Sequence, residues 1–163
     1  MQEHAATPLA ALEALPLARA MRESLWLYPA VEIVHLVGIA VLAGGVILFD
    51  LRVLGFSRRM PVDQLARHLL PWSVGALALI VPSGLLMFSA HPSDFLGGGV
   101  FVVKMTLLML AGFNALMFHL GPFRNAAAWS TGVPAPAAAR AHAAASLTIW
   151  IAIIACGRLL AYV

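Results

Sequence analysis

Glu32, His35, Asp50, His68, Lys104, Asn114, His119 and His142 fall inside, or at the ends of, long apolar runs in this 163-residue sequence. An ionisable side chain at the centre of a bilayer costs at least ~2.5 kcal/mol, so each needs a partner or a task. Their spacing points to two kinds of chemistry. Glu32 and His35 form a Glu-x-x-His unit, which puts a carboxylate and an imidazole one helical turn apart. Taken with Lys104, they read as an ion pair between Glu32 and Lys104, with His35 hydrogen-bonded beside it. The alternative is a proton relay or a single transition-metal stop built on Glu32 and His35. A di-iron bundle needs two such motifs and further carboxylates, and this chain has one. The second kind belongs to His68, His119 and His142. Two neutral imidazoles facing across a bundle can ligate a b-type haem, with apolar helix faces packing the macrocycle. His68 and His142 are the expected axial pair, with His119 the substitute for either. The alternative is a set of interfacial histidines touching headgroups and water. Arg67 and Arg140 stand near these histidines and would meet haem propionates or, equally, lipid phosphates.

Four apolar runs must position these residues, near 30–55, 69–90, 100–120 and 139–162. Each is long enough to cross a hydrocarbon core of ~30 Å as a helix. The first is the most informative. At ~100° per residue, one face collects Glu32, His35, Gly38, Ile39, Leu42, Gly45, Val46, Phe49 and Asp50. The other collects Ile33, Val34, Val37, Ala40, Val41, Ile47 and Leu48, a smooth aliphatic surface suited to lipid. Two glycines on the polar face permit close helix approach, so that face is expected to meet protein. In the second run Pro71 suits a first turn, Pro82 should kink the helix, and His68, Trp72, Gly75, Leu79, Pro82 and Leu86 share a side. Gly75, with Ala145 in the fourth run, leaves room for a macrocycle. The expected fold is all-α: an integral membrane four-helix bundle over 30–163, preceded by a short interfacial helical segment over 1–29. Within 1–29, Glu13, Arg19, Arg22 and Glu23 make the stretch too charged to span; it lies on the membrane surface or frays.

Composition supports this reading. The chain is 62% hydrophobic and 10% charged, with a mean hydropathy of +0.93. Its formal charge of +3 is no sign of nucleic-acid binding, because the bases cluster in loops and span ends as topology signals. The single cysteine, Cys156, can form no disulfide within the chain. No secretory signal is evident at the N-terminus, and the first span can serve as the targeting signal. The bilayer is the expected partner, with a membrane protein or a second copy as further candidates.

Arg52, Arg58, Arg59 and Arg67 surround the first connection, and Arg124 and Arg140 the third, whereas the second has none. The positive-inside rule therefore places connections one and three in the cytoplasm and both termini outside. Glu32, His35 and Lys104 then share the outer level, and Asp50, His68, Asn114, His119 and His142 the inner one.

The strings WLYPAVEIVHLVG (26–38), DLRVLG (50–55), ARHLLPW (66–72) and GRLLAY (157–162) resemble a family of small, uncharacterised bacterial inner-membrane proteins with four spans. More distantly, by the placement of His35, His68, His119 and His142, the chain is similar to cytochrome b561 and copper-resistance D type membrane proteins. Those resemblances imply di-haem electron transfer and copper handling, respectively. The chain departs from them, because His35 is the sole histidine within a span on its outer side and no methionine-rich tract is present. Three readings stay open: a b-type haem electron-transfer subunit, a non-catalytic subunit packed against a larger complex, and a metal or proton pathway. Nucleophilic catalysis has no support, since no Ser or Cys can be placed beside a histidine with a third orienting group.

Overall fold

In the computed structural model, residues 8–160 and residue 162 are described; the start of the 1–29 segment and positions 161 and 163 lie outside them. Among the described residues there is no strand, and seven α-helices follow one another. Four are long and apolar enough to cross a membrane: α3 (Leu27–Leu54), α4 (Val62–Ala90), α6 (Gly99–Leu120) and α7 (Ala137–Leu159). Two short helices, α1 (Pro8–Glu13) and α2 (Pro16–Glu23), precede them. Helix α5 (Pro92–Gly97) joins α4 to α6, and a 3-10 segment, Pro122–Trp129, lies in the link to α7.

The helix order in space is α4–α3–α7–α6, with α3 and α7 central. Small residues set the closest approach. A Cβ added at Gly38 would come within 2.7 Å of Ile80 Cγ1, and one at Gly45 would run into the Ser73 hydroxyl. Gly38, Ala43 and Asp50 are buried, while Ile33, Val34, Val37, Val41 and Leu48 are exposed to the surroundings. The polar face of α3 thus meets protein and its aliphatic face meets lipid, as its periodicity requires. Glu32 is the exception on that face, being exposed.

Helix α4 begins at Val62, well before its apolar run, so most of the first connection is helical and Pro71 lies inside the helix. Its buried residues include Ala66, Ser73, Ala76 and Ser83, whereas Trp72 is 68% exposed. The side that carries His68, the expected haem ligand, with Trp72 and Leu79, therefore points outward. In a membrane, small residues make the protein-facing stripe and bulky ones can be left to lipid.

Buried charge braces the end that carries the arginine-rich connections, here the basic end. Arg52, 2% exposed, donates from Nε to Met60 O (2.6 Å) and from Nη2 to Arg58 O (3.2 Å) and Ser130 O (2.7 Å). Ser130 also donates its hydroxyl to Asp63 (2.5 Å) and accepts the Val62 amide. One guanidinium thereby ties the end of α3 to both connections. Gly55, at φ 115°, supplies the left-handed turn that ends α3. At the opposite, far end, Arg22 donates to Ala90 O (2.9 Å) and Glu13 O (2.7 Å), and Ala18 and Met21 are buried. Helices α1 and α2 are clasped to the end of the bundle.

Helices α4 and α6 make no close backbone approach among the described residues. Their rings meet at the far end, where Phe88 stacks on Phe101 at 5.4 Å with Phe95 beside both. Towards the basic end a cleft opens between Leu69, Leu70 and Ser73 of α4 and Asn114, Ala115 and His119 of α6.

Candidate functional site

At the floor of that cleft lies a cavity of about 100 Å³. All four long helices line it: Asp50 from α3, Ser73 from α4, Asn114 and His119 from α6, and His142 and Ser146 from α7. Apolar walls come from Val46, Phe49, Leu69, Leu70 and Phe118. The register follows from the helix faces already described. Gly45 and Asp50 lie on the protein-facing stripe of α3, and Ala66 and Ser73 on the small-residue stripe of α4.

Hydrogen bonding here is asymmetric. Asn114 and His142 are paired reciprocally: the imidazole donates from Nδ1 to Asn114 Oδ1 (2.8 Å), and Asn114 Nδ2 donates to the His142 carbonyl (3.1 Å). His119 donates from Nδ1 to Ala115 O (2.8 Å). With Nδ1 committed as a donor, the neutral form of each ring presents Nε2 as an acceptor, the tautomer that suits a ligand or proton acceptor. Phe118 packs its edge against both imidazoles, with ring centroids 5.6 Å from His119 and 6.2 Å from His142. Asp50 is 6% exposed. The Ser146 hydroxyl serves its carboxyl, yet Oδ2 is buried without any hydrogen-bond partner. An unanswered buried carboxyl oxygen costs on the order of 1–3 kcal/mol or more, and more if charged.

Of the residues expected to do chemistry, the structure brings His119 and His142 to this cavity and leaves His68 out. His68 is exposed and has no part in the lining. The α4 residues that line the cavity, Ala66, Leu69, Leu70 and Ser73, centre roughly 150° around the helix from it. His68 and His142 therefore do not face one another as an axial pair.

The outer trio separates as well. His35 donates from Nδ1 to Ile80 O (3.1 Å) and stands 2.9 Å from Ser83 Oγ, which itself donates to Leu79 O (2.5 Å). It braces α4 where Pro82 interrupts the helix ladder. Lys104 turns to α7, with Nζ 3.7 Å from where a Gly157 Cβ would stand and Cys156 nearby. Glu32 is exposed, and no ion pair joins it to Lys104. The pair present among the described residues is His91–Asp94 at 3.6 Å. Nor do three His, Cys, Asp or Glu residues gather there as a metal-ligand cluster, around Glu32 and His35 or elsewhere.

Sequence reasoning gave Asp50 no role beyond an inward position, and treated Arg52 as a topology signal. The available sign was their spacing: two charged residues just inside an apolar run, before a glycine that ends the helix.

No curated protein and no solved structure matches the chain. The profile of a family described as "Family of unknown function (DUF6644)" matches residues 27–163, from the start of α3 to the C-terminus. The chain is a multi-pass membrane protein by its four spans, and it belongs to the DUF6644 family.

Proposed function

We propose that the protein binds a small cationic or hydrogen-bond-donating group within the membrane, at the cavity formed by Asp50, His119, Asn114 and His142. The observation that carries this is the buried, unpartnered Oδ2 of Asp50 in a cavity whose imidazoles are held as acceptors. Asp50 supplies the countercharge, the two Nε2 atoms accept, and Asn114 fixes the tautomer of His142. About 100 Å³ has room for a few waters or one small head group. The basic end faces the cytoplasm of a bacterial inner membrane, with both termini outside. A membrane-soluble carbodiimide should label Asp50 ahead of the exposed Glu32, and methylammonium, a minimal N–H donor, should slow that labelling. Labelling of Asp50 that ignores methylammonium would overturn the reading.

A second reading keeps haem and electron transfer, supported by the two Nε2 acceptors of His119 and His142 beside one cavity and by the likeness to cytochrome b561 type proteins. As the helices stand, a porphyrin does not fit a space of about 100 Å³, and His68 points away. Helices α4 and α6 would have to move further apart. A dithionite-reduced spectrum of protein made with ample haem decides it: sharp b-type bands that vanish in His142→Ala favour haem, and colourless protein removes it.

A further inference from the structure

We infer that the cavity is filled sideways from the bilayer, by an amphiphile whose N–H or O–H head reaches Asp50 and whose apolar tail lies in the cleft between α4 and α6. This rests on the binding reading above and adds the ligand class and its route. Three observations carry it. First, the floor is polar and buried: Asp50, Ser73 and Ser146 are all buried, and the carboxyl Oδ2 lacks a donor. Second, the rim is exposed and apolar. Leu70 of α4 is 43% exposed and Ala115 of α6 is exposed, although both line the cavity. Third, the cavity opens between α4 and α6, two membrane-spanning helices whose backbones stay apart; towards the far end Phe88 and Phe101 stack across the gap.

The chemistry of the head follows from what is missing. Oδ2 of Asp50 has no donor, and each histidine already spends its Nδ1 proton on an oxygen, so a donor head is wanted and an anionic one finds nothing to pair with. A freely diffusing cation would have to arrive past the connections held by Arg52 and lined by further arginines. A lipid-borne head avoids that barrier, because its tail brings it to the rim at membrane depth. The donor head belongs either to a phospholipid such as phosphatidylethanolamine or to a free lipophilic amine or alcohol.

The test uses the full chain in phosphatidylcholine nanodiscs at neutral pH, with thermal unfolding followed by tryptophan fluorescence. Probes are dodecylamine, dodecanoate and methylammonium. Dodecylamine should raise Tm, with half-saturation at least about tenfold below methylammonium, and dodecanoate should do nothing. Asp50→Asn should weaken dodecylamine by about tenfold or more. Ala115→Phe, which adds bulk at the exposed rim, should weaken dodecylamine more than methylammonium. Discs containing phosphatidylethanolamine should raise Tm unaided if the lipid is the source; if dodecylamine alone does so, a free amphiphile is the source. Methylammonium binding as tightly as dodecylamine, and in an Asp50-dependent way, would overturn lateral entry while leaving the cavity reading intact. Equal shifts from dodecylamine and dodecanoate, or shifts that ignore both substitutions, would overturn it as mere partitioning into the disc.

Discussion

The two ends of the bundle both contain polar residues at membrane depth, and they treat them differently. At the far end, His35 is drawn into α4: its ring N–H meets Ile80 O and the hydroxyl of Ser83 across the helix interface. Arg22 likewise answers two carbonyls and clasps α2 in place. At the basic end, Arg52 does the same for the connections, but a few residues away Asp50 Oδ2 has no partner. Polar groups used as glue have their capacity filled by the fold. A polar group left over inside such a frame is held there for something else.

The largest expected effect tests the frame. Arg52→Met should destabilise the protein by about 3 kcal/mol or more, since three buried carbonyl bonds to one cation are lost together. The midpoint of SDS-induced helix loss, read by circular dichroism, measures it. A shift under about 1 kcal/mol would show that the connections hold themselves.

The next pair of substitutions sharpens the contrast by sign. His35→Phe should destabilise by about 1–2 kcal/mol, because α4 loses a donor beside Pro82. Asp50→Leu should stabilise the ligand-free protein by about 1–3 kcal/mol, since an unanswered buried carboxyl is replaced by apolar volume. It should at the same time abolish the rise in Tm that methylammonium gives the unsubstituted protein. If both substitutions destabilise alike, the two ends do not differ in kind.

Asn114→Ala gives a smaller effect, about 1 kcal/mol in stability. Its more telling consequence is tautomeric: His142 loses the oxygen that holds its Nδ1 proton. In the nitrogen NMR spectrum of labelled protein, the wild-type ring should show a protonated Nδ1 and a bare Nε2, and the variant a mixture. A wild-type ring already mixed would mean that Asn114 does not set the acceptor.

How much of this was legible depended on what a membrane makes visible. The two faces of α3 were readable because lipid tolerates no stray polar group, so Gly38, Gly45 and Asp50 on one stripe against Val34, Val37 and Val41 on the other had one interpretation. Helix α4 was misread for the converse reason. Its apolar run does not mark its start, since Val62 to His68 already form two helical turns of mixed polarity. The bulky stripe through Trp72 and Leu79 resembles a soluble core face, yet with lipid outside there is no penalty for exposing it. The small stripe Ala66–Ser73–Ala76–Ser83, complementary to the glycines of α3, was the better sign. The cavity itself was beyond reach, because Asp50, Ser73, Asn114 and His142 come from four helices whose relative rotation no single segment specifies.

The smallest effect concerns the ion pair that the far end does not form. Common depth on parallel helices made Glu32 and Lys104 natural partners, but depth says nothing of rotation. Lys104 turns to Gly157 and Cys156 of α7, while Glu32 stays exposed on α3. Two charges that do not touch, one of them solvent- or headgroup-facing, should couple by less than about 0.5 kcal/mol. The double-mutant cycle of Glu32→Gln and Lys104→Met measures this directly, with each single change and the pair compared at one detergent concentration. Near-additivity is expected. Lys104→Met alone should be neutral or mildly stabilising, because it removes an ammonium that α7 receives without a carboxylate. A coupling above about 1.5 kcal/mol would mean that the helices rotate in the bilayer to join the two charges. The far end would then also hold a pair that the sequence implied and this packing lacks, and the contrast between the ends would narrow to Asp50 alone.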